Sequence, residues 1–412
     1  MKEQPAYDII IAGAGAAGFF AGISALEMRA GTRVLILEKS NKILSKVLIS
    51  GGGRCNVTNV CAEPAELVKN YPRGGRSLLN VFYSFGQKET VEWFRQHGVA
   101  LKAEEDGRMF PRSDSSETIA ACLRENYFRL GGELQLQKDI TAFRHEGGLF
   151  YISLRNGDTY CAARLIIASG GAPKTAMLDW IKEHGHEIRP SVPSLFTFNL
   201  PQDPICSLMG ISVENADIKI RDSKFRDSGP LLITHWGLSG PAILKLSSFA
   251  AEWIYEKNYS FSIEINWLHS KNRNTVNEEL SKLFKTFRDK KVRNLKPAEI
   301  PGRLWEYFLN KCGIDPEKNG AEISSKELES IIKTLFADVY QVNGKTTFKE
   351  EFVTAGGVSL RGVDMRSMES KHIPGLFFCG EVLDVDGITG GFNFQAAWST
   401  ARAAAAHAIN NL

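Results

Sequence analysis

The sequence lacks any pattern of paired cysteines. Its seven (Cys55, Cys61, Cys122, Cys161, Cys206, Cys312 and Cys379) are odd in number and scattered, with no CxxC and no zinc-ligand spacing. Neither a disulfide framework nor a metal site is expected, and reduced thiols in a cytoplasmic protein are the simpler reading. The chain also lacks an excess of either charge. Lys and Arg number 50 and Asp and Glu 47, and the resulting +3 is too small to single out nucleic acid or an anionic membrane as partner. Repeats and low-complexity tracts are absent. One uncharged run reaches membrane length, the 18 residues 9–26. Gly13, Gly15, Gly18 and Gly22 interrupt it, and Glu3 and Asp8 precede it where a signal peptide would be basic. No membrane span or secretory leader is expected from it. A length of 412 residues allows two or three domains.

The chemistry lies at the two ends. Ile9–Ala12 is an apolar run of strand length, and helix formers follow from Ala16. Gly13, Gly15 and Gly18 therefore fall at a strand-to-helix turn. Gly13 permits the tight turn, Gly15 lets backbone approach a diphosphate, and Gly18 lets helix and strand pack closely. The helix N-terminus, with its free N–H groups, favours negative charge. Arg33-Val34-Leu35-Ile36-Leu37 reads as a second buried strand, ending at Glu38, 20 residues after Gly18. An acid there accepts hydrogen bonds from the ribose hydroxyls and repels a 2′-phosphate.

An NAD dehydrogenase would continue with alternating strands and helices. Here Ser50-Gly51-Gly52-Gly53-Arg54-Cys55-Asn56 follows, a loop with exposed N–H groups suited to phosphate or a flavin pyrimidine edge. Arg54 can add positive charge, and Asn56 and Asn59 can bond in either direction. Phe150–Leu154 and Thr159–Cys161 flank a polar turn as a hairpin. Leu165–Ala168 reads as a buried strand entering the close-approach turn Ser169-Gly170-Gly171. Near the C-terminus, strand Leu376–Cys379 ends beside Glu381, a candidate for ribityl hydroxyls. Gly390-Gly391-Phe392-Asn393 then opens an Ala-rich helix to about Asn410. Its first-turn N–H groups are expected to face the flavin O2/N1 edge, where reduction builds negative charge. Two such segments some 350 residues apart predict one FAD site closed by both termini. No second GxGxxG exists, so NAD(P)H is expected only as a transient co-substrate.

The middle departs from this pattern. Ile211–Ile220, Leu231–Thr234 and Phe261–Asn266 have the alternation of short strands, and Val276–Phe287, Pro301–Lys311 and Ser325–Phe336 read as helices. The basic run Lys285–Lys296 reads as a solvated helix face without aromatic stacking partners. Thr234-His235-Trp236-Gly237 is the densest polar and aromatic cluster outside the flavin motifs. His235 can act as acid or base and Trp236 can line a pocket, or the glycines can simply turn the chain with His235 bonded to backbone. Cys55 with Cys61 is a weak candidate for a disulfide relay.

SGGGRCNVTN (50–59), DGRMFPRSD (106–114), THWGLSGPAIL (234–244), VTAGGVSL (353–360) and GLFFCGEVLDVDGITGGFNFQAAW (375–398) closely resemble one family over essentially the whole chain. It comprises bacterial BaiN-like, or aminoacetone-oxidase-like, FAD-dependent oxidoreductases of the wider glutathione-reductase-2 superfamily. The resemblance implies an α/β fold with a Rossmann-like FAD domain from both termini (1–190 and 353–412). A small β-domain (191–270, with 337–352 returning) is inserted in it, and a helical subdomain (271–336) is nested in that. It implies FAD contacts from Gly13, Gly15, Gly18, Glu38, Lys39, Arg54, Cys55, Asn56, Ile140 (backbone), Gly170, Gly380, Glu381, Gly391, Phe392 and Asn393. Reactions named within the family include reduction of conjugated bile-acid enones and oxidation of small amines. The expected activity is hydride exchange between flavin N5 and a small organic substrate. The alternatives are an amine oxidase and a flavin-stabilised binding or assembly protein without turnover.

Overall fold

A computed structural model describes residues 6–269, 271–346, 353–410 and 412. The chain divides into two compact units, Met1–Ser194 with Phe348–Leu412 and Leu195–Thr347. Among the described residues no helix is long and apolar enough to cross a membrane.

In the first unit Tyr7–Ala12 runs parallel to Val34–Leu37 on one side and Thr159–Ile167 on the other. Ile9, Ile10, Ile11, Leu35 and Ile36 are fully buried, as expected of a parallel sheet covered on both faces. Val34–Leu37 pairs in turn with Glu133–Gln135, and the hairpin Ile140–Glu146/Leu149–Leu154 extends the other edge. Leu165–Ile167 is not a separate strand. It is the end of Thr159–Ile167, whose first half pairs with Leu149–Leu154 and whose second half pairs with Leu376–Phe378. The hairpin partner leaves the edge where the C-terminal strand takes it over. That exchange binds the end of the chain to its beginning.

The helix Ala16–Met28 packs against the C-terminal helix Phe392–Asn410. Small residues permit this: Ala397, Ala401, Ala404, Ala405 and Ala408 are buried along the C-terminal helix, and alanine carries the least helix penalty. Phe20 fills the space beside them, its ring centroid 4.6 Å from Trp93 and 5.3 Å from Trp398. Ile188–Ser194 pairs antiparallel with Val353–Val358. The first unit thus keeps the chain past the 190 boundary expected from the prolines, because Pro190 and Pro193 sit in a strand with a register shift where missing N–H groups are tolerated.

The second unit is a seven-stranded antiparallel sheet in the order Asp338–Asn343, Ser260–Asn266, Ser212–Ile220, Arg226–Thr234, Gly237–Ser239, Thr197–Asn199, Lys345–Thr346. The helices Arg273–Thr286, Gly302–Lys311 and Ser325–Phe336 start at Asn272, whose side chain accepts from Asn274 and Thr275 N–H, after Pro301, and at a Ser324/Glu327 capping box. They share one hydrophobic core with the strands, through Leu280, Phe284, Trp305, Phe308 and Ile331 against Ile263, Ile265 and Trp267. The return strand expected over 337–352 is present as Asp338–Asn343 and Lys345–Thr346, and residues 347–352 lie outside the described residues.

Candidate functional site

At the first turn Gly13 has φ +111°, and a Cβ there would lie 2.5 Å from Ala168 O. A Cβ on Gly18 would lie 1.9 Å from Gly13 O. Glycine is required at both, for the turn and for the helix-to-strand approach. Gly15 differs: a Cβ there would meet nothing within 4 Å, and it precedes a helix with no side-chain cap. That helix start opens into free space with its donors available. The Glu38 carboxylate braces the turn, accepting N–H bonds from Ala14 (2.9 Å) and Ser40 (2.9 Å). A carboxylate has further lone pairs for ribose hydroxyls.

A cavity of about 540 Å³ opens at the carboxyl ends of these parallel strands, where α/β sheets bind ligands. Gly13, Glu38, Lys39, Ile140 and Gly170 line it together. Gly170 has φ +74° with open space on its Cβ side. Sequence reasoning assigned no role to Trp180, Thr141 or Arg155, which also line it. Trp180 follows a turn without a recognisable motif, and Arg155 was read only as part of a hairpin turn.

Ser50–Gly53 ends the helix Ser45–Gly53, but Gly51, Gly52 and Gly53 turn left-handed (φ +58°, +67° and +83°). Arg54 is not left free beside this loop. Its guanidinium pairs with Glu104 (2.5 Å) and Asp114 (3.5 Å) and lies 4.0 Å above the Phe110 ring. DGRMFPRSD therefore forms part of a three-stranded sheet with Thr58–Asn59 and Leu101–Ala103 that anchors Arg54. Cys55 is fully buried, and burial pushes its thiol up to about 12. Cys55 and Cys61 are both free, so the relay is not formed, and a protonated buried thiol is a poor nucleophile.

The C-terminal motif closes onto this loop. In the orientation that satisfies both groups, Asn56 Nδ2 donates to Thr58 O (3.1 Å) and its Oδ1 accepts from Gly391 N–H (2.9 Å). One of the first-turn donors expected to face the flavin is thus engaged by Asn56. Asn59 Nδ2 donates to Gly390 O, Tyr71 Oη to Phe392 O, and Trp398 Nε1 to Val57 O. Asn393 clamps Gly387 from both sides, accepting its N–H (2.9 Å) and donating to its carbonyl (2.8 Å). The side chains of Asn56 and Asn393 therefore fix the 387–391 loop, and the Phe392 ring is buried against Tyr71.

Between the two ends, Glu381 accepts from Lys46 Nζ (2.5 Å) and Thr354 N–H (3.0 Å). Gly380, φ +74°, passes close to Ala17, and its N–H donates to Thr400 Oγ1. Lys46 and Thr354 were missed, although Thr354 stands in the quoted VTAGGVSL motif. Its hydroxyl is buried without a hydrogen-bond partner and flanks Gly171 together with Glu381. An orphaned hydroxyl, a glycine turn open on its Cβ side and an uncapped helix start beside a cavity fit a bound dinucleotide. Among the described residues no cluster of His, Cys, Asp and Glu could hold a metal. His235 and Trp236 lie in the second unit at the Arg226–Thr234/Gly237–Ser239 turn, ring centroids 3.9 Å apart. His235 is exposed, and Thr234 Oγ1 donates to Gly237 O.

A family model described as the HI0933-like protein Rossmann domain matches residues 7–407. The ribosomal RNA dihydrouridine synthase of Escherichia coli (strain K12) is 32% identical over 97% of both chains. The 3-dehydro-bile acid delta(4,6)-reductase of Clostridium scindens is 28% identical over 95% of this chain and 96% of that protein. Among solved structures, 3-ketosteroid-delta4-(5alpha)-dehydrogenase from Rhodococcus jostii RHA1 shares the fold, with TM-score 0.52 and 15% identity over 99% of this chain and 98% of that one. With this coverage, the chain belongs to the HI0933-like Rossmann family, the flavoprotein family its terminal motifs resemble.

Proposed function

We propose that this protein is an FAD-dependent reductase of carbon–carbon double bonds conjugated to a carbonyl. The observation that carries it is the convergence of the glycine turn 13–18, the 50–59 loop and the 380–393 segment within one unit, beside a cavity fit for a nucleotide. FAD, when bound, supplies hydride from N5, with NAD(P)H as the transient donor. The chain supplies position and charge. Backbone N–H groups from Gly15 onward hold the diphosphate, and Glu38 takes the ribose hydroxyls. Glu381, Lys46 and Thr354 form a polar group for the ribityl chain. The N-terminus of Phe392–Asn410 stabilises negative charge at the pyrimidine edge.

Two relatives support the reaction class by a shared chemistry. Forming dihydrouridine saturates the C5–C6 double bond of uracil, conjugated to its C4 carbonyl; a delta(4,6)-reductase acts on double bonds conjugated to a ketone. The 32% identity over nearly the whole chain favours uridine in ribosomal RNA as the substrate. The near-zero net charge that argued against nucleic acid is an average over the chain and says nothing of local patches. A conjugated steroid-like enone is the second reading, favoured by the bile-acid relative. The test is anaerobic reduction of the purified holoprotein with NADH and with NADPH, followed by addition of protein-free ribosomal RNA or of a conjugated enone. Reoxidation of the flavin with a gain of two hydrogens in the acceptor is expected. A flavin that neither nicotinamide reduces, or that neither acceptor reoxidises, would refute the reading.

A further inference from the structure

From Lys282 to Lys296 the chain carries seven cations (Lys282, Lys285, Arg288, Lys290, Lys291, Arg293, Lys296) against one acid, Asp289. The sequence suggests a helix face without aromatic partners, but the helix stops at Thr286, Phe287 stands within the run, and the rest, a loop with a 3-10 turn at Val292–Asn294, is pinned to 318–321. Gly320 N–H donates to Lys290 O (3.0 Å), Ala321 N–H to Arg288 O (3.1 Å), and Val292 N–H to Lys318 O (2.8 Å). The close approach needs the glycine, since a Cβ on Gly320 would lie 2.9 Å from Phe284 O and 3.1 Å from Phe287 O. The charges therefore sit on a fixed backbone.

The density of cations without acid partners, and an aromatic ring exposed among them, set this patch apart. Four cations elsewhere in the unit are matched, Arg273 with Glu329, Lys271 with Glu299, Lys311 with Asp338 and Lys318 with Glu327, while others, such as Lys219 and Lys245, form no ion pair among the described residues. Among the described residues, Lys285, Arg288, Lys290 and Lys291 have no carboxylate partner, and only Arg293 in the loop has one, Glu317. In their midst Phe287 is 40% exposed, with Lys290 Nζ 4.4 Å from its ring centroid. An aromatic ring held at the surface among unmatched cations pairs a stacking platform with phosphate-binding charge, the combination that recognises unpaired bases in RNA.

We infer that Lys285, Phe287, Arg288, Lys290 and Lys291 form a docking surface for an unpaired segment of the RNA substrate. The inference rests on the ribosomal-RNA reading above. The lysines and arginine take backbone phosphates, and Phe287 takes a base by stacking.

The experiment measures binding of protein-free ribosomal RNA to the FAD-loaded protein over a range of salt concentrations, with dihydrouridine formation in the same RNA. The wild type is compared with Lys285→Gln/Arg288→Gln/Lys290→Gln/Lys291→Gln, with Phe287→Ala, and with the ion-paired Arg273→Gln as control. FAD content reports that each is folded. Losing four phosphate contacts is expected to make the slope of log Kd against log salt shallower by about 3. Phe287→Ala is expected to weaken binding about tenfold with the slope unchanged. Arg273→Gln should match the wild type. Unchanged affinity and slope in the quadruple variant, with dihydrouridine still formed by both proteins, would overturn the surface alone. A wild type that neither binds nor modifies the RNA would overturn the substrate reading and the surface together.

Discussion

His186 is a buried imidazole with little to keep it charged. Its Nε2 lies 2.9 Å from Ser370 Oγ, its Nδ1 has no partner, and the rings of His372 and Phe378 pack against it. Burial, then the neighbouring His372 and His184, pull its pKa from 6.5 down to about 4. Between those values the unfolded chain binds a proton that the folded chain refuses, so stability falls as pH falls through that window. The full loss is about 3 kcal/mol at 1.36 kcal/mol per pKa unit. Urea unfolding from pH 7 to pH 4 should show this slope in the wild type and lose it in His186→Gln; an identical slope in both would contradict it. Gly13 is the other residue whose chemistry can be isolated. With φ +111° and Ala168 O only 2.5 Å from a Cβ, Gly13→Ala should distort the diphosphate turn and weaken FAD binding tenfold or more, read by flavin titration of the apoprotein.

At the scale of elements, the C-terminal helix and the loop before it were legible, but their fastenings were not. The alanine run and the Gly390-Gly391 opening predict a helix, and Phe392–Asn410 forms it. Nothing in the local sequence says that Thr58 Oγ1 bonds Gln395 Oε1, or that Tyr71 bonds Phe392 O, because such partners lie more than 300 residues apart. The same holds for Asp386, fully buried against Arg73 and accepting from Ser194 Oγ at 2.8 Å. A carboxylate in a loop reads as solvated until the fold buries it. Asp386→Ala leaves the Arg73 guanidinium, 12% exposed, without this carboxylate. Removing one partner of a buried pair costs about 3 kcal/mol or more. The unfolding free energy from urea denaturation should drop accordingly, and a value within a few tenths of a kcal/mol of wild type would contradict this. Arg54 makes the converse point: beside a glycine loop it reads as a ligand for flavin or phosphate, yet Glu104, 50 residues on, takes its charge.

For the whole molecule, the order strand, glycine turn, helix, strand, acid was enough to predict the first layer of the parallel sheet. The distant Leu376–Phe378 run completes that sheet beside Thr159–Ile167. The middle was legible as strands then helices from its alternation and caps. That all of them share a single core is a tertiary fact that periodicity does not carry. The account depends on both ends of the chain enclosing one dinucleotide. Its most direct test is acid release of the cofactor from purified protein, with the flavin identified by chromatography and counted per chain. The account predicts a yellow protein releasing one FAD per chain. FMN alone, or a colourless protein that takes up no added FAD, would contradict it.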